Sequence, residues 1–294
     1  MGKHGDSMKA QTSQNGVVAV CILKGGMGKS TIAINLTDRL QENHGDTVYI
    51  DIDKNGHGTE FLGFGDAYKN NGDLEDVIFR DKHPSELVIE TEFGFGVIAS
   101  SSEMSTINDR MKNQMNADVI LKKEVIEPLR EDGYDYVVLD APGDPSKVAD
   151  NALVAAQSFI LPVIPGQGSV SGLERIMETQ ILPIIDATDG AADILAITPN
   201  MLSESIRPHK PDRRLLEDLN KNWSDYVPAY ARITEEQWEQ IDSKGRGDIP
   251  LPGIRERDAL SDSFDENMPV AHFDPSCDQI EHFDTLAEIV AERA

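Results

Sequence analysis

The segment Leu23-Lys24-Gly25-Gly26-Met27-Gly28-Lys29-Ser30-Thr31 constrains this chain more than any other. Before it runs Val17 to Leu23, a continuous apolar stretch rich in β-branched residues; after it, apolar residues recur at helical spacing from Lys29 to Leu40. The first pattern reads as a buried strand and the second as a helix, so the glycines fall in the loop between them. Glycines there let backbone amides curl around an anion, and the helix N-terminus adds positive partial charge. The loop Gly25, Gly26, Met27, Gly28, Lys29, Ser30 and Thr31 is therefore expected to cradle phosphates, with Lys29 on the β and γ groups and the Ser30 hydroxyl on magnesium. The alternative is a glycine-rich turn with no ligand, and Gly-Lys-Ser between a strand and a helix argues against it.

The strand pattern recurs at Thr47 to Ile52, Gly96 to Ala99, Tyr136 to Asp140, Phe159 to Ile164 and Ile194 to Thr198. Helical stretches fall between these at Ala117 to Glu131, Ser146 to Ala156 and Gly172 to Ile185. Such alternation predicts an α/β fold with a mostly parallel twisted sheet flanked by helices on both faces, and the phosphate loop makes the expected architecture that of a P-loop NTPase. A closing amphipathic helix is expected over Asp278 to Glu292, with Ile280, Phe283, Leu286, Ala287 and Val290 on one face. The expected organisation is a polar tail over 1–15 and a single ATPase domain over 16–294. Within it, 203–250 changes character, is polar and carries Trp223 and Trp238, and reads as a helical insertion or peripheral helices.

Two acid-bearing strand ends complete the candidate site. Asp51-Ile52-Asp53 ends one strand, where carboxylates lie in the crevice at which open α/β sheets bind ligands. Tyr136-Val137-Val138-Leu139-Asp140 is an apolar run ending in Asp, the Walker B pattern, in which the acid holds magnesium through water. Alone it is weak, because Asp often ends strands as a turn former; beside the glycine loop it gains force.

The motif Lys-Gly-Gly-x-Gly-Lys-Ser, with Leu23 where the ordinary loop has its first glycine and Lys24 next, resembles the deviant Walker A loop of the ParA and MinD superfamily. Further stretches share the likeness: Ala149 to Ala156, Pro252-Gly253-Ile254-Arg255 near the nucleotide base, and Met268-Pro269-Val270 at a closing strand. The resemblance implies that Lys24 reaches the partner's phosphates across an ATP-bound homodimer, acting as an arginine finger does. It implies that Asp53 positions or activates the attacking water, and that Asp51 supports the metal shell with Ser30 and Asp140. After Asp53 the chain reads Lys54-Asn55 where many relatives have Pro-Gln, so that loop departs from the family pattern. Asn200 falls where these proteins often contact adenine; a turn-forming Asn after Pro199 is the alternative.

Charge and cysteine content choose among relatives. Asp and Glu number 52 against 27 Lys and Arg, a net charge of −25, and the acids are dispersed. Such a surface suits a salt-rich cytoplasm, where the Debye length shrinks to about 3 Å near 1 M salt, and points to a halophile; an ordinary acidic protein is the plain alternative. Cys21 and Cys277 supply neither a disulfide framework nor, by themselves, an iron-sulfur site, so a reducing compartment is expected. Met1 to Asn15 is polar, and the apolar stretch Phe159 to Ile164 is broken by Pro162, so neither a signal peptide nor a membrane span is expected. The acidic final helix disfavours MinD-like membrane docking.

What remains is the ParA partition ATPase. It implies ATP and Mg2+ as cofactors, nonspecific DNA binding in the ATP state, a ParB-like stimulating protein and a cytoplasmic, nucleoid-associated location, serving plasmid or chromosome partition. Arg207, Lys210, Arg213 and Arg214 form a relatively basic island that is the candidate DNA contact, with Lys244, Arg246, Arg255 and Arg257 as extensions; a solvated helix face of paired charges is the alternative. A cargo-positioning ATPase of the same superfamily that never binds DNA is the second functional reading.

Overall fold

Among the described residues seven strands carry the fold: β1 (Val17–Val20), β2 (Thr47–Asp51), β3 (Ile89–Glu90), β4 (Gly96–Ile98), β5 (Tyr136–Asp140), β6 (Ser158–Val163) and β7 (Asp193–Pro199). They form one sheet in the order β3-β4-β2-β5-β1-β6-β7. Every pairing is parallel except that of β3 with β4, so the expected mostly parallel sheet is present. The computed structural model describes residues 16–22, 25–70, 74–166, 169–204, 206–207 and 210–294. Lys24 lies outside them.

Strand alternation divides the core into two layers, one on each face of the sheet. Val17, Ala19, Val48, Ile50, Val137 and Leu139 point into one cluster; Val18, Val20, Tyr49 and Val138 point into the other. Both layers are fully covered, which is why the central strands read as continuous apolar runs; burying each such Val or Ile contributes about 1.5–3 kcal/mol. The second layer is closed by the helix Lys29–Asn43 and the C-terminal helix Ile280–Arg293, which buries Phe283, Leu286, Ala287 and Val290 as its spacing predicts.

Local chemistry explains two irregular helices. The stretches Lys122–Ile126 and Met177–Ile181 widen to π geometry, and each is followed by a helical turn with proline in its first positions, Pro128 and Pro183. A proline inside an α-helix lacks an amide hydrogen and clashes with the carbonyl four residues back, and a π turn relieves both defects. The segment around Met268-Pro269-Val270 corrects an expectation: in place of a closing strand, Pro269 caps the short helix Val270–Phe273. Proline has no amide to give to a ladder, but its fixed φ suits the start of a helix.

Within 203–250 two helices, Pro211–Asn222 and Glu235–Lys244, are held together by Arg213. Its guanidinium lies 4.3 Å over the Trp238 ring and donates to both carboxylate oxygens of Asp242, at 2.5 and 2.8 Å, and to Glu217 at 2.6 Å. Both cysteines are free and buried, and burial pushes the Cys21 thiol up to about 12. Among the described residues no helix is long and apolar enough to cross a membrane.

Candidate functional site

The site follows from the strand order. β2, β5 and β1 are neighbours, and their registers pair Asp140 with both Asp51 and Val20, so the two acid-bearing ends and the loop after β1 meet at one edge of the sheet. Gly28 caps the helix Lys29–Asn43 at φ 75°, a left-handed conformation that glycine adopts without strain. A Cβ there would also fall 2.3 Å from Asn200 Nδ2. No side chain caps this helix, so its first-turn amides remain available to an anion. Gly25 and Gly26 have open space where a Cβ would stand. Lys29 is only 7 % exposed and Ser30 and Thr31 are half-buried, so the loop is a floor with glycines at its rim.

Asp51 and Asp140 are both fully buried. Asp51 accepts from the Thr59 amide and hydroxyl, each at 2.8 Å on Oδ2, and from the Asp53 amide at 3.1 Å on Oδ1. Burial first, then the charge of Asp140, pushes its carboxyl up to about 8, while the Thr59 bonds pull the other way. Burial raises Asp140 too, and the Ser30 hydroxyl, Lys29 and Tyr49 oppose that rise. Two carboxylates on adjacent strands inside a dry crevice resist ionising together. Asp140 Oδ2 accepts from Tyr49, whereas Asp140 Oδ1 is buried with no hydrogen-bond partner among the described residues. An orphaned carboxylate oxygen beside a serine hydroxyl and a cationic lysine fits a magnesium ion shared with phosphate. Among the described residues no three His, Cys, Asp or Glu cluster as a metal site.

Asp53 stands beyond the strand end, partly exposed, and its Oδ1 accepts from the Asn55 amide at 3.0 Å and its Nδ2 at 2.8 Å. The Asp53 carbonyl accepts from Ser100 Oγ at 2.6 Å, which pins the loop to β4. Lys54, where the family pattern has proline, reaches across to Asp144 Oδ2 at 2.8 Å and ties the loops after β2 and β5 together. Asn200 is buried and its Nδ2 donates to the Met27 carbonyl at 2.9 Å, so it braces the glycine loop. With Thr31, Met201, Arg255, Leu260 and Phe264 it also lines a cleft of about 570 Å³ beside the loop.

The basic island is smaller than its sequence suggests. Arg207, Lys210 and Arg214 are exposed, and Arg207 and Lys210 line a groove of about 740 Å³ with Arg246. Arg213 corrects the expectation, because its charge is spent on Asp242 and Glu217 between two helices. Arg255 is 1 % exposed, donating to the carbonyls of Ser203 and Pro252, and Arg257 is paired with Glu204 and Asp278. Tyr49, Thr59 and Ser100 are site residues that sequence reasoning missed. A tyrosine inside a buried β-branched run was the one signal for Tyr49, and nothing local marked the other two.

The chain matches the family AAA_31, described as an AAA domain, over residues 15–189. An uncharacterized protein of Methanocaldococcus jannaschii, MJECL24, is 29% identical over 170 residues, covering 55% of this chain and 64% of that protein. The chromosome partitioning protein ParA of Myxococcus xanthus is 27% identical over 164 residues, covering 55% of this chain and 57% of its own length. The chain thus spans less than two thirds of either relative. Among solved structures, an ATP complex of a Cyanothece McdA variant superposes with a TM-score of 0.70 over 94% of this chain and 95% of that one, at 19% identity, a likeness of fold. With more than half of its length inside the family match, and with the deviant phosphate loop at the start of that match, the chain belongs to the AAA_31 family and has the ParA-type P-loop NTPase fold.

Proposed function

We propose that this protein is a magnesium-dependent ATPase that dimerises on ATP and works in plasmid or chromosome partition. One observation carries the nucleotide reading: an uncapped helix N-terminus behind Gly28 faces the same strand ends as a buried Asp140 oxygen with no partner. Lys29 holds the β and γ phosphates as a point charge, and the loop amides of Gly25 to Ser30 close around their oxygens. Ser30 and Asp140 would hold a magnesium ion, with Asp51 supporting that shell, and the ion would supply positive charge beside the phosphates. Asp53 orients the attacking water, Lys24 acts on the partner's phosphates, and the cleft beside Asn200 takes the base. Nonspecific DNA binding in the ATP state, stimulation by a ParB-like protein and a cytoplasmic, nucleoid-associated location complete the reading. The named ParA relative supports it.

The pairing of Arg213 and Arg257 and the burial of Arg255 favour the second reading, a cargo-positioning ATPase that never touches DNA, because they remove accessible cations from an already acidic chain. A gel-shift titration with ATP over a series of potassium chloride concentrations separates the two. Under the partition reading DNA is shifted only with ATP, and the double variant Arg207→Glu, Lys210→Glu loses at least about tenfold in affinity with a shallower salt dependence. Absence of a shift at every salt concentration selects the second reading.

A further inference from the structure

Tyr49 is the one polar side chain that β2 buries in mid-strand, and its environment has a purpose that packing does not explain. The inward positions beside it, Val18, Val20, Val138 and Ile160, are aliphatic. Tyr49 is completely buried, and its hydroxyl donates to Asp140 Oδ2 at 2.9 Å. A buried phenol needs a partner, and an aliphatic residue would fit the layer without one. The hydroxyl also dictates a residue elsewhere: a Cβ on Gly58 would fall 1.7 Å from Tyr49 Oη and 3.2 Å from Asp140 Oδ2. Gly58 has an ordinary φ, so the bare backbone there serves the hydroxyl and not a turn.

The carboxylate oxygens at the strand ends divide accordingly. Both oxygens of Asp51 are taken, Oδ2 by Thr59 and Oδ1 by the Asp53 amide. Of Asp140, Oδ2 is taken by Tyr49, and Oδ1 has no partner among the described residues. We infer that Tyr49 is a positioning residue for magnesium: by holding Asp140 Oδ2 from within the core, with Gly58 kept bare to admit the hydroxyl, it fixes the rotation of the carboxylate and commits Oδ1 to the cation. The inference rests on the nucleotide and magnesium reading of this site. Without the hydroxyl, Asp140 turns about its side-chain bonds and the ion must select one arrangement from several, which weakens metal binding while leaving the phosphate cradle of Gly25 to Thr31 untouched.

The test is the magnesium dependence of binding of a fluorescent, nonhydrolysable ATP analogue to Tyr49→Phe and to the parent. Phe keeps the ring and removes only the donor; Tyr49→Leu, which suits an aliphatic layer, serves the same purpose if the Phe variant unfolds. The magnesium concentration for half-saturation rises about tenfold in the variant, the scale of a hydrogen bond to a charged group, while affinity measured in EDTA changes less than about twofold. A merely structural tyrosine would change both affinities together or neither, and either result overturns the inference. If the parent's own affinity is indifferent to magnesium, the underlying site reading falls with it, and that outcome is read on the parent alone.

Discussion

Replacing Lys29 with alanine abolishes high-affinity nucleotide binding, weakening the ATP analogue by at least about 100-fold while the far-ultraviolet circular dichroism of the protein is unchanged. Lys29 is only 7 % exposed at the first position of the helix Lys29–Asn43, so its side chain is held at the loop and not free in solvent. Each charge-assisted hydrogen bond it makes to a phosphate contributes about 1.5–3 kcal/mol, and two of them amount to about 3 kcal/mol or more, a factor of about 100. The cation also opposes the rise in proton affinity that burial gives Asp140. Equal analogue affinity in Lys29→Ala and the parent would mean that phosphate binds elsewhere.

Replacing Asp53 with alanine has the opposite profile, with binding kept and turnover lost. Among the described residues the Asp53 side chain hydrogen-bonds to Asn55 and to no loop residue, so analogue affinity should change by less than about threefold. A side chain that positions or activates the attacking water contributes about 100- to 10,000-fold, and steady-state ATP hydrolysis should fall within that range. Under the proposed function, in which hydrolysis resets an ATP dimer, the variant should run as a dimer with ATP in size-exclusion chromatography after the parent has returned to monomer. Parent-like hydrolysis in Asp53→Ala would transfer the water to another group. The control Asp53→Asn keeps an acceptor for the Asn55 amide, so loss of turnover in both variants separates catalysis from loop support.

The part of this protein that was legible in sequence is the part whose local backbone requirements are strict. Gly28 needs a left-handed φ and has no room for a side chain, and Lys29-Ser30 opens a helix; those demands are written into consecutive residues. The central strands were legible because burial on both faces makes them uniformly apolar. The edge strand Ile89–Glu90 escaped because two residues hold no period. The basic island was overread because charge along a sequence does not show its partners: Arg213 meets Asp242 and Arg257 meets Glu204, residues 29 and 53 positions away. Tyr49 escaped for a related reason, since its partners Asp140 and Gly58 come together only when β2 lies against β5.

Under the proposed function, one nucleotide and one magnesium ion bind where the ends of β1, β2 and β5 meet. Calorimetric titration of the unmodified protein with a nonhydrolysable ATP analogue, with magnesium and in EDTA, tests it directly. The account predicts one site per chain, with affinity at least about tenfold tighter when magnesium is present, because the phosphates and Asp140 then share a cation. No binding, or binding of equal strength in EDTA, would contradict it.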